Sequence, residues 1–259
     1  MRLANTVAIV TGGAKGIGRT ICTTMAAEGA SIVVADMDLA AAEETAAMLR
    51  GLGRASLALQ VNVTNKAQVQ AMVSKVVDAF GRIDVLMNNV GILAIGAVLE
   101  LAEETWDKVM TVNTKGTFLC SQAVLPVMIR QGHGKIINMS SQAGKEGSAL
   151  SSAYAASKHA VIGFTQSLAK EVGEYNITVN AVCPGSVDTE MLDTIYFPEK
   201  ARLSGKSPEE YRKAFLDRIP MKRMARPEEI GYLVVFLASS EADYITGTAI
   251  NVAGGSSVQ

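Results

Sequence analysis

The chain of 259 residues is 49% hydrophobic and 19% charged, and its 24 basic and 25 acidic residues leave a formal charge of −1. That length suits one large α/β domain whose core needs no disulfide or metal support, while the balanced charge argues against a nucleic-acid or anionic-membrane binder, which needs a basic patch. Cys22, Cys120 and Cys183 are far apart and form no CxxC, which fits a reducing cytoplasm, and no apolar run approaches the roughly 18 residues of a membrane span.

At the N-terminus the apolar run of MRLANTVAIVTGG is only VAIV. This is short for the core of a signal peptide and reads as a first strand. Short runs rich in β-branched residues predict strands over 6–10, 31–35, 56–60, 85–87, 135–139, 178–182 and 249–252. Helical patterns lie between them near 16–28, 39–51, 65–80, 103–130, 152–173 and 226–238. Strands alternating with helices predict a single α/β domain over 1–259, with a seven-stranded parallel sheet covered on both faces. The one departure is the stretch 190–218, which carries Pro198, Gly205, Pro208 and mixed charge. A long excursion inside a compact domain is a lid or binding loop, or else a surface insertion packed against a neighbouring subunit.

After the first strand comes Thr11-Gly12-Gly13-Ala14-Lys15-Gly16-Ile17-Gly18, leading directly into a helix. Residues without a Cβ let backbone N–H groups and a helix N-terminus come close to a pyrophosphate. Asp36 ends the second strand 18 residues after Gly18. A carboxylate there accepts from both ribose hydroxyls and repels a 2′-phosphate, which favours NAD over NADP. Lys15 cuts the other way, as a base within the loop. Asn62, followed by Val63 after the third strand, is either an acceptor for an adenine amino group or a turn residue. Asn88-Asn89-Val90-Gly91 follows the fourth strand, where the chain must bend beneath a cofactor; a purely structural turn explains the asparagines equally well.

The most specific constellation is Ser141 with Tyr154-Ala-Ala-Ser-Lys158. Tyr154 and Lys158 are spaced i, i+4 and share one helix face. A phenol with an unperturbed pKa near 10 is a poor base at neutral pH. An ammonium and a cationic nicotinamide beside it favour the phenolate, and the tyrosine can then exchange a proton with an alcohol or ketone oxygen.

TGGAKGIG, NNVG, Asn113 in VMTVNTKG, Ser141 in INMSSQAG, YAASK and CPGSVDT follow one another as in the short-chain dehydrogenase/reductases, and the resemblance runs from Thr6 to Gly255. It implies a doubly wound Rossmann-type sheet of order 3-2-1-4-5-6-7 and an Asn113–Ser141–Tyr154–Lys158 tetrad. Ser141 is preferred to Ser140 because it precedes Tyr154 by the family's usual 13 residues. By resemblance, Ser141 holds the substrate oxygen and Tyr154 exchanges its proton. Lys158 binds the nicotinamide ribose and tunes Tyr154, while Asn113 kinks its helix and holds a water. Gly12, Lys15, Gly16, Ile17, Gly18, Asp36, Asn62, Val63, Asn89 and Gly91 then line the dinucleotide. Pro184, Gly185, Val187 and Thr189 resemble the segment that meets the carboxamide. The chain departs from the family at Asn62 and Ala253, where Asp is usual, and at Val90, which replaces the alanine of NNAG.

The sequence looks most like members that oxidise polyols or polyol phosphates, with 3-oxoacyl thioester reductases using NADPH close behind. A silent dinucleotide-sensing protein is the reading from another class, and the complete tetrad disfavours it. Lys200, Arg202 and Lys206 in 190–218 are candidates to meet a phosphate, or else a solvated helix face. His133 and His159 form no metal-ligand pattern, and no GxSxG elbow supports serine hydrolase chemistry. A homotetramer is what the resemblance implies for assembly.

Overall fold

In the computed structural model, which describes residues 1–258, seven strands form one wholly parallel sheet. They are β1 (Val7–Thr11), β2 (Ser31–Asp36), β3 (Ser56–Gln60), β4 (Val85–Asn88), β5 (Gly134–Met139), β6 (Ile177–Pro184) and β7 (Ala249–Val252). The order is β3-β2-β1-β4-β5-β6-β7, as the resemblance implies. All seven predicted strands are present, and the strands that outrun prediction do so by taking in polar or turn-forming end residues such as Thr11, Asp36, Asn88 and Pro184.

Nine α-helices cover the sheet among the described residues: α1 (Gly16–Ala27), α2 (Leu39–Gly51), α3 (Lys66–Phe80), α4 (Glu103–Met110), α5 (Gly116–Gln131), α6 (Ser152–Val172), α7 (Phe197–Leu203), α8 (Pro208–Arg218) and α9 (Pro227–Ala238). None is long and apolar enough to cross a membrane. Successive side chains of a strand point to opposite faces, and β1 divides accordingly. Ala8 and Val10 pack with α1, α2 and α9, whereas Val7 and Ile9 pack with α3, α5 and α6. Burial on both faces explains why the strands read as continuous apolar runs rather than alternating ones.

Two elements differ from the sequence reading. The pattern over 103–130 is not one regular helix: α4 and α5 are joined through a π turn at Thr111–Lys115. The stretch 190–218 is not an irregular excursion but largely helical, comprising a π turn at Leu192–Tyr196, then α7 and α8. Ser207 caps α8 through Glu210 N–H while the Glu210 carboxylate accepts from Ser207 N–H, a reciprocal capping box that fixes where this helix starts. Its apolar side is a cluster of rings, with Tyr196, Phe197 and Phe215 meeting edge to face at centroid separations of 5.5–5.6 Å.

The strand order reverses direction between β1 and β4, so a crevice opens outside their C-terminal ends. There the turn into α1 is held by close contact. Gly12 has φ of +65°, and a Cβ on Gly18 would lie 1.9 Å from the Gly12 carbonyl oxygen. Gly16 has φ of +54° but open space around it. The two glycines therefore serve different ends, close packing at 18 and backbone freedom at 16. We predict that Gly18→Ala lowers stability by about 2–4 kcal/mol through overpacking against a backbone that cannot yield. Gly16→Ala should cost only about 1 kcal/mol of left-handed strain. Urea unfolding of the two variants measures the difference, and equal losses would contradict it.

Candidate active site

The crevice has two halves. In the first, the turn between β1 and α1 faces the loop after β4. Asn89 Nδ2 donates to the Gly12 carbonyl at 3.1 Å and Asn89 N–H donates to Thr11 Oγ1 at 3.0 Å, so the two turns are tied together. The methyls by which Val90 exceeds alanine pack against Gly12 and the apolar face below the sheet. Ile17 packs partly buried against the opposite core. At the end of β2, Asp36 Oδ2 accepts from Ala14 N–H at 3.2 Å and Oδ1 accepts from Asp38 N–H at 3.1 Å. Lys15 Nζ lies 2.9 Å from Asp38 Oδ2, and both side chains are largely exposed. The pair raises the Lys15 pKa and lowers that of Asp38, chiefly through their mutual hydrogen bond.

Asn62 and Val63 are engaged with protein. Asn62 Oδ1, the atom considered for adenine, accepts from Thr64 N–H at 3.0 Å and from Thr64 Oγ1 at 2.7 Å, which makes the residue a turn former. Val63 is buried, and a Cβ on Gly116 would lie 2.8 Å from its Cγ2, so Val63 fills the space that a glycine leaves on α5.

The second half is carried by β5, the π turn and α6. Lys158 is only 2% exposed, and its ammonium donates to the Met139 carbonyl at 2.7 Å. A Cβ on Gly91 would lie 3.2 Å from that nitrogen, so the loop after β4 passes directly over it. Asn113 sits in the π turn, where the widened helix lets its amide reach the same loop. Its Oδ1 accepts from Ile92 N–H at 2.8 Å, and its Nδ2 donates to the Ile92 carbonyl and to Ser157 Oγ, each at 3.0 Å. The side chain thus pairs with Ile92 as a strand neighbour would, and both amide atoms are committed to protein partners. Its backbone carbonyl accepts from Thr117 Oγ1 at 2.8 Å.

Ser140 and Ser141 part company here. Ser140 is buried and donates to the Lys158 carbonyl at 2.9 Å. Ser141 faces the crevice with Tyr154, and its hydroxyl also accepts from Ala143 N–H at 3.1 Å. The ring of Tyr154 has Lys158 Nζ at 5.7 Å from its centroid. Burial pushes the Tyr154 phenol above its ordinary value, opposed by a hydrogen bond from Ser141, and pushes the Lys158 ammonium down to about 8. The i, i+4 spacing alone suggests that the ammonium is the larger influence on the phenol, and it is not. In the protein alone desolvation dominates, because both groups are withdrawn from water.

These residues open onto a cleft of about 190 Å³, walled on one side by the loop 141–151 and on the other by Met191, Leu192, Tyr196 and Phe215 from 190–218. Gly185 belongs to the same wall, and a Cβ on it would lie 2.9 Å from Ala253 Cα. Pro184 and Val187 are buried beside it, and Thr189 Oγ1 donates to the Val187 carbonyl at 3.2 Å. The bases considered for phosphate contact do not line the cleft. Lys200 is buried on α7 and donates to the Ala149 carbonyl, and Arg202 pairs with Glu199 at 2.9 Å. Sequence reasoning overlooked Glu146, Gln142 and Tyr196, which do line it. For Gln142 and Glu146 a position between Ser141 and Tyr154 was the available signal, and for Tyr196 its place within 190–218. His133 lies 2.8 Å from Asp84, near the start of β4, and His159 faces solvent from α6.

A dinucleotide fits the first half on this chain's own geometry. Close packing of Gly18 on Gly12 shapes the turn, and the space around Gly16 is open at the N-terminus of a twelve-residue helix, with the Asp36 carboxylate bonded to the same turn through Ala14 N–H.

Comparison with known proteins gives the same reading. A model of the short chain dehydrogenase family matches residues 6–199. The chain is 41% identical to the 3-oxoacyl-[acyl-carrier-protein] reductase FabG of Thermotoga maritima, over 98% of this chain and 99% of that one. It is 42% identical to the galactitol 2-dehydrogenase of Agrobacterium fabrum, over 98% of each. The crystal structure of NAD+-bound xylitol dehydrogenase superposes with a TM-score of 0.96 at 31% identity, over 98% of this chain and 100% of that one. The chain belongs to the short-chain dehydrogenase family and is an oxidoreductase of CH–OH groups that works with a nicotinamide cofactor.

Proposed function

We propose that the protein is an NAD(H)-dependent oxidoreductase of secondary alcohols and their ketones, with a polyol as substrate and the whole chain acting as one catalytic domain beneath a lid formed by 190–218. The observation that carries this is the Ser141 and Tyr154 hydroxyls facing one cleft with the Lys158 ammonium buried behind them.

The bound nicotinamide supplies the exchange of a hydride with the substrate carbon. Tyr154 takes the alcohol proton in oxidation and returns it in reduction. Ser141 holds the substrate oxygen and steadies the phenol. Lys158 supplies positive charge opposing the burial that keeps Tyr154 protonated, and it does so from a site where charge acts through little water. Asn113 is a positioning residue that fastens the loop after β4 above Lys158.

Electrostatics at the end of β2 favour NAD. A 2′-phosphate there would meet Asp36 and Asp38, and Lys15 is already paired with Asp38 at 2.9 Å. The other base of this region, Arg19, donates to the Ala14 carbonyl at 2.7 Å and lies 3.6 Å from Glu44. The second reading, an NADPH-dependent 3-oxoacyl thioester reductase, draws support from the Thermotoga maritima relative and from the apolar wall of Met191, Leu192 and Phe215. Steady-state rates with galactitol and NAD+ against a 3-oxoacyl thioester and NADPH separate the two.

The exposed Phe118, edge-on to Phe164 at 6.1 Å across α5 and α6, supports self-association, and we infer a homotetramer. Three buried, unpaired cysteines support a cytoplasmic setting.

Tyr154→Phe should lower kcat by about 10²–10⁴-fold while NAD+ affinity stays within a few-fold; near-normal turnover would remove the proton-transfer role. Asp36→Arg should shift the NADP/NAD ratio of kcat/KM toward NADP by tenfold or more, and an unchanged ratio would place Asp36 away from the ribose. Lys158→Met should abolish useful turnover yet stabilise the fold by about 1–2 kcal/mol at pH 7. Below pH about 8 the lysine is charged in both folded and unfolded chains and its burial penalty is fully present; as pH climbs toward 10.5 only the unfolded chain keeps the proton and the penalty is relieved. The variant's advantage in thermal midpoint should therefore shrink across that window.

A further inference from the structure

Among the described residues lining the cleft, Glu146 alone carries a charge. The rest of the polar wall consists of hydroxyls and one amide: Ser141, Gln142, Ser148, Ser151 and Tyr154 on the loop 141–151 and the start of α6, and Ser186 and Tyr196 opposite. The Glu146 carboxylate is half-buried, and no hydrogen bond or ion pair engages it within the described residues. A partly desolvated carboxylate without a donor gains most from a ligand that brings one.

Its backbone is held from several sides, which distinguishes it from a surface acid on a loose loop. Glu146 N–H donates to the Gln142 carbonyl at 3.0 Å, and the Gln142 Oε1 in turn accepts from Ser256 Oγ at 2.8 Å. Further along the loop, Leu150 is in the left-handed region at φ of +62°, its carbonyl accepts from Gly96 N–H at 2.8 Å, and the Ala149 carbonyl accepts from the buried Lys200 of α7. The lid and the loop after β4 thus set the position of this acid before any substrate arrives.

We propose that Glu146 is the specificity-determining residue of the cleft, accepting hydroxyl hydrogens of an uncharged polyol at carbons away from the reacting one and turning away polyol phosphates. The inference rests on the dehydrogenase reading above and narrows it. Each hydroxyl of a polyol donates one hydrogen bond to a carboxylate oxygen, whereas the phosphorylated end of a polyol phosphate has lost that donor and brings negative charge that the carboxylate repels. Of the bases named for phosphate contact, Lys200 and Arg202 are engaged elsewhere, and neither they nor Lys206 line the cleft. Met191, Leu192 and Phe215 on the facing wall suit the C–H edges of an extended carbon chain.

The test compares galactitol, sorbitol 6-phosphate and 2-butanol as substrates for the wild-type enzyme, Glu146→Gln and Glu146→Ala. Wild type should prefer galactitol to the phosphate ester by 100-fold or more in kcat/KM. Glu146→Ala should lower the galactitol to 2-butanol ratio of kcat/KM at least tenfold, mainly through KM, since the monohydric alcohol has no second hydroxyl to lose. Glu146→Gln should narrow the discrimination against sorbitol 6-phosphate at least tenfold by removing repulsion at nearly constant shape. Smaller changes in these ratios, or a wild type that oxidises the phosphate ester as well as the free polyol, overturn the assignment of Glu146 alone. A wild type inactive on polyols but active on 3-oxoacyl thioesters overturns the dehydrogenase reading together with it.

Discussion

Lys158 is a cation kept almost out of water with a single carbonyl, that of Met139, as its hydrogen-bond partner. Holding it there is unfavourable by itself, and much of the second half of the site can be understood as the framework that keeps it in place. The sheet supplies the acceptor at the end of β5. The loop after β4 closes over the ammonium at Gly91, where a Cβ would lie 3.2 Å from the nitrogen and press on it. Asn113 then pins that loop through Ile92, and the π turn is what brings an α5-side residue close enough to do so. Ser140 and Gly144 settle the backbone on the far side, Gly144 passing so near Ser140 Oγ and the Lys158 carbonyl that no Cβ fits. The burial of apolar side chains in the two layers on either side of the sheet opposes that cost.

The fold was legible because its signals are local and redundant. Strands buried on both faces announce themselves as apolar β-branched runs, and six crossovers leave little freedom in topology. The dinucleotide half was legible as well, since glycine spacing and an acid at the end of β2 are consequences of backbone approach and charge that do not depend on distant packing. What escaped was geometry set by partners remote in sequence. A π turn leaves no periodic trace when the helices on both sides keep their apolar faces, so 103–130 read as one helix. The helices of 190–218 did carry a readable start, Ser207-Pro208-Glu209-Glu210, a capping box obscured by the prolines and mixed charge around it. Lys200 read as a solvent-facing or phosphate-seeking base, and only the packing of α7 against the 141–151 loop reveals it as a buried tie between lid and site.

The two charged regions of the site act in opposite senses. At the end of β2, Asp36, Lys15 and Asp38 are exposed enough that the ion pair contributes little to stability. Lys15 is neutralised by the same carboxylate that caps α2 through Ala41 N–H, so helix formation itself holds the second acid near the first. On the proposed NAD reading, this is how a loop that carries a base is still hostile to phosphate. Composition alone does not disclose this, because the balance depends on which acid the base faces.

In the cleft, discrimination has to arise differently, since on the proposed mechanism Ser141 and Tyr154 would recognise any secondary alcohol alike. Selectivity must come from walls that vary without disturbing the tetrad, and here those are the loop between Ser141 and Tyr154 and the helices of 190–218. The Lys200 bond to the Ala149 carbonyl fastens these two walls to each other. That bond gives a physical reason for a lysine in a buried position of α7. A shorter or apolar residue would leave the Ala149 carbonyl without its donor and α7 without its tie to the loop that carries Glu146.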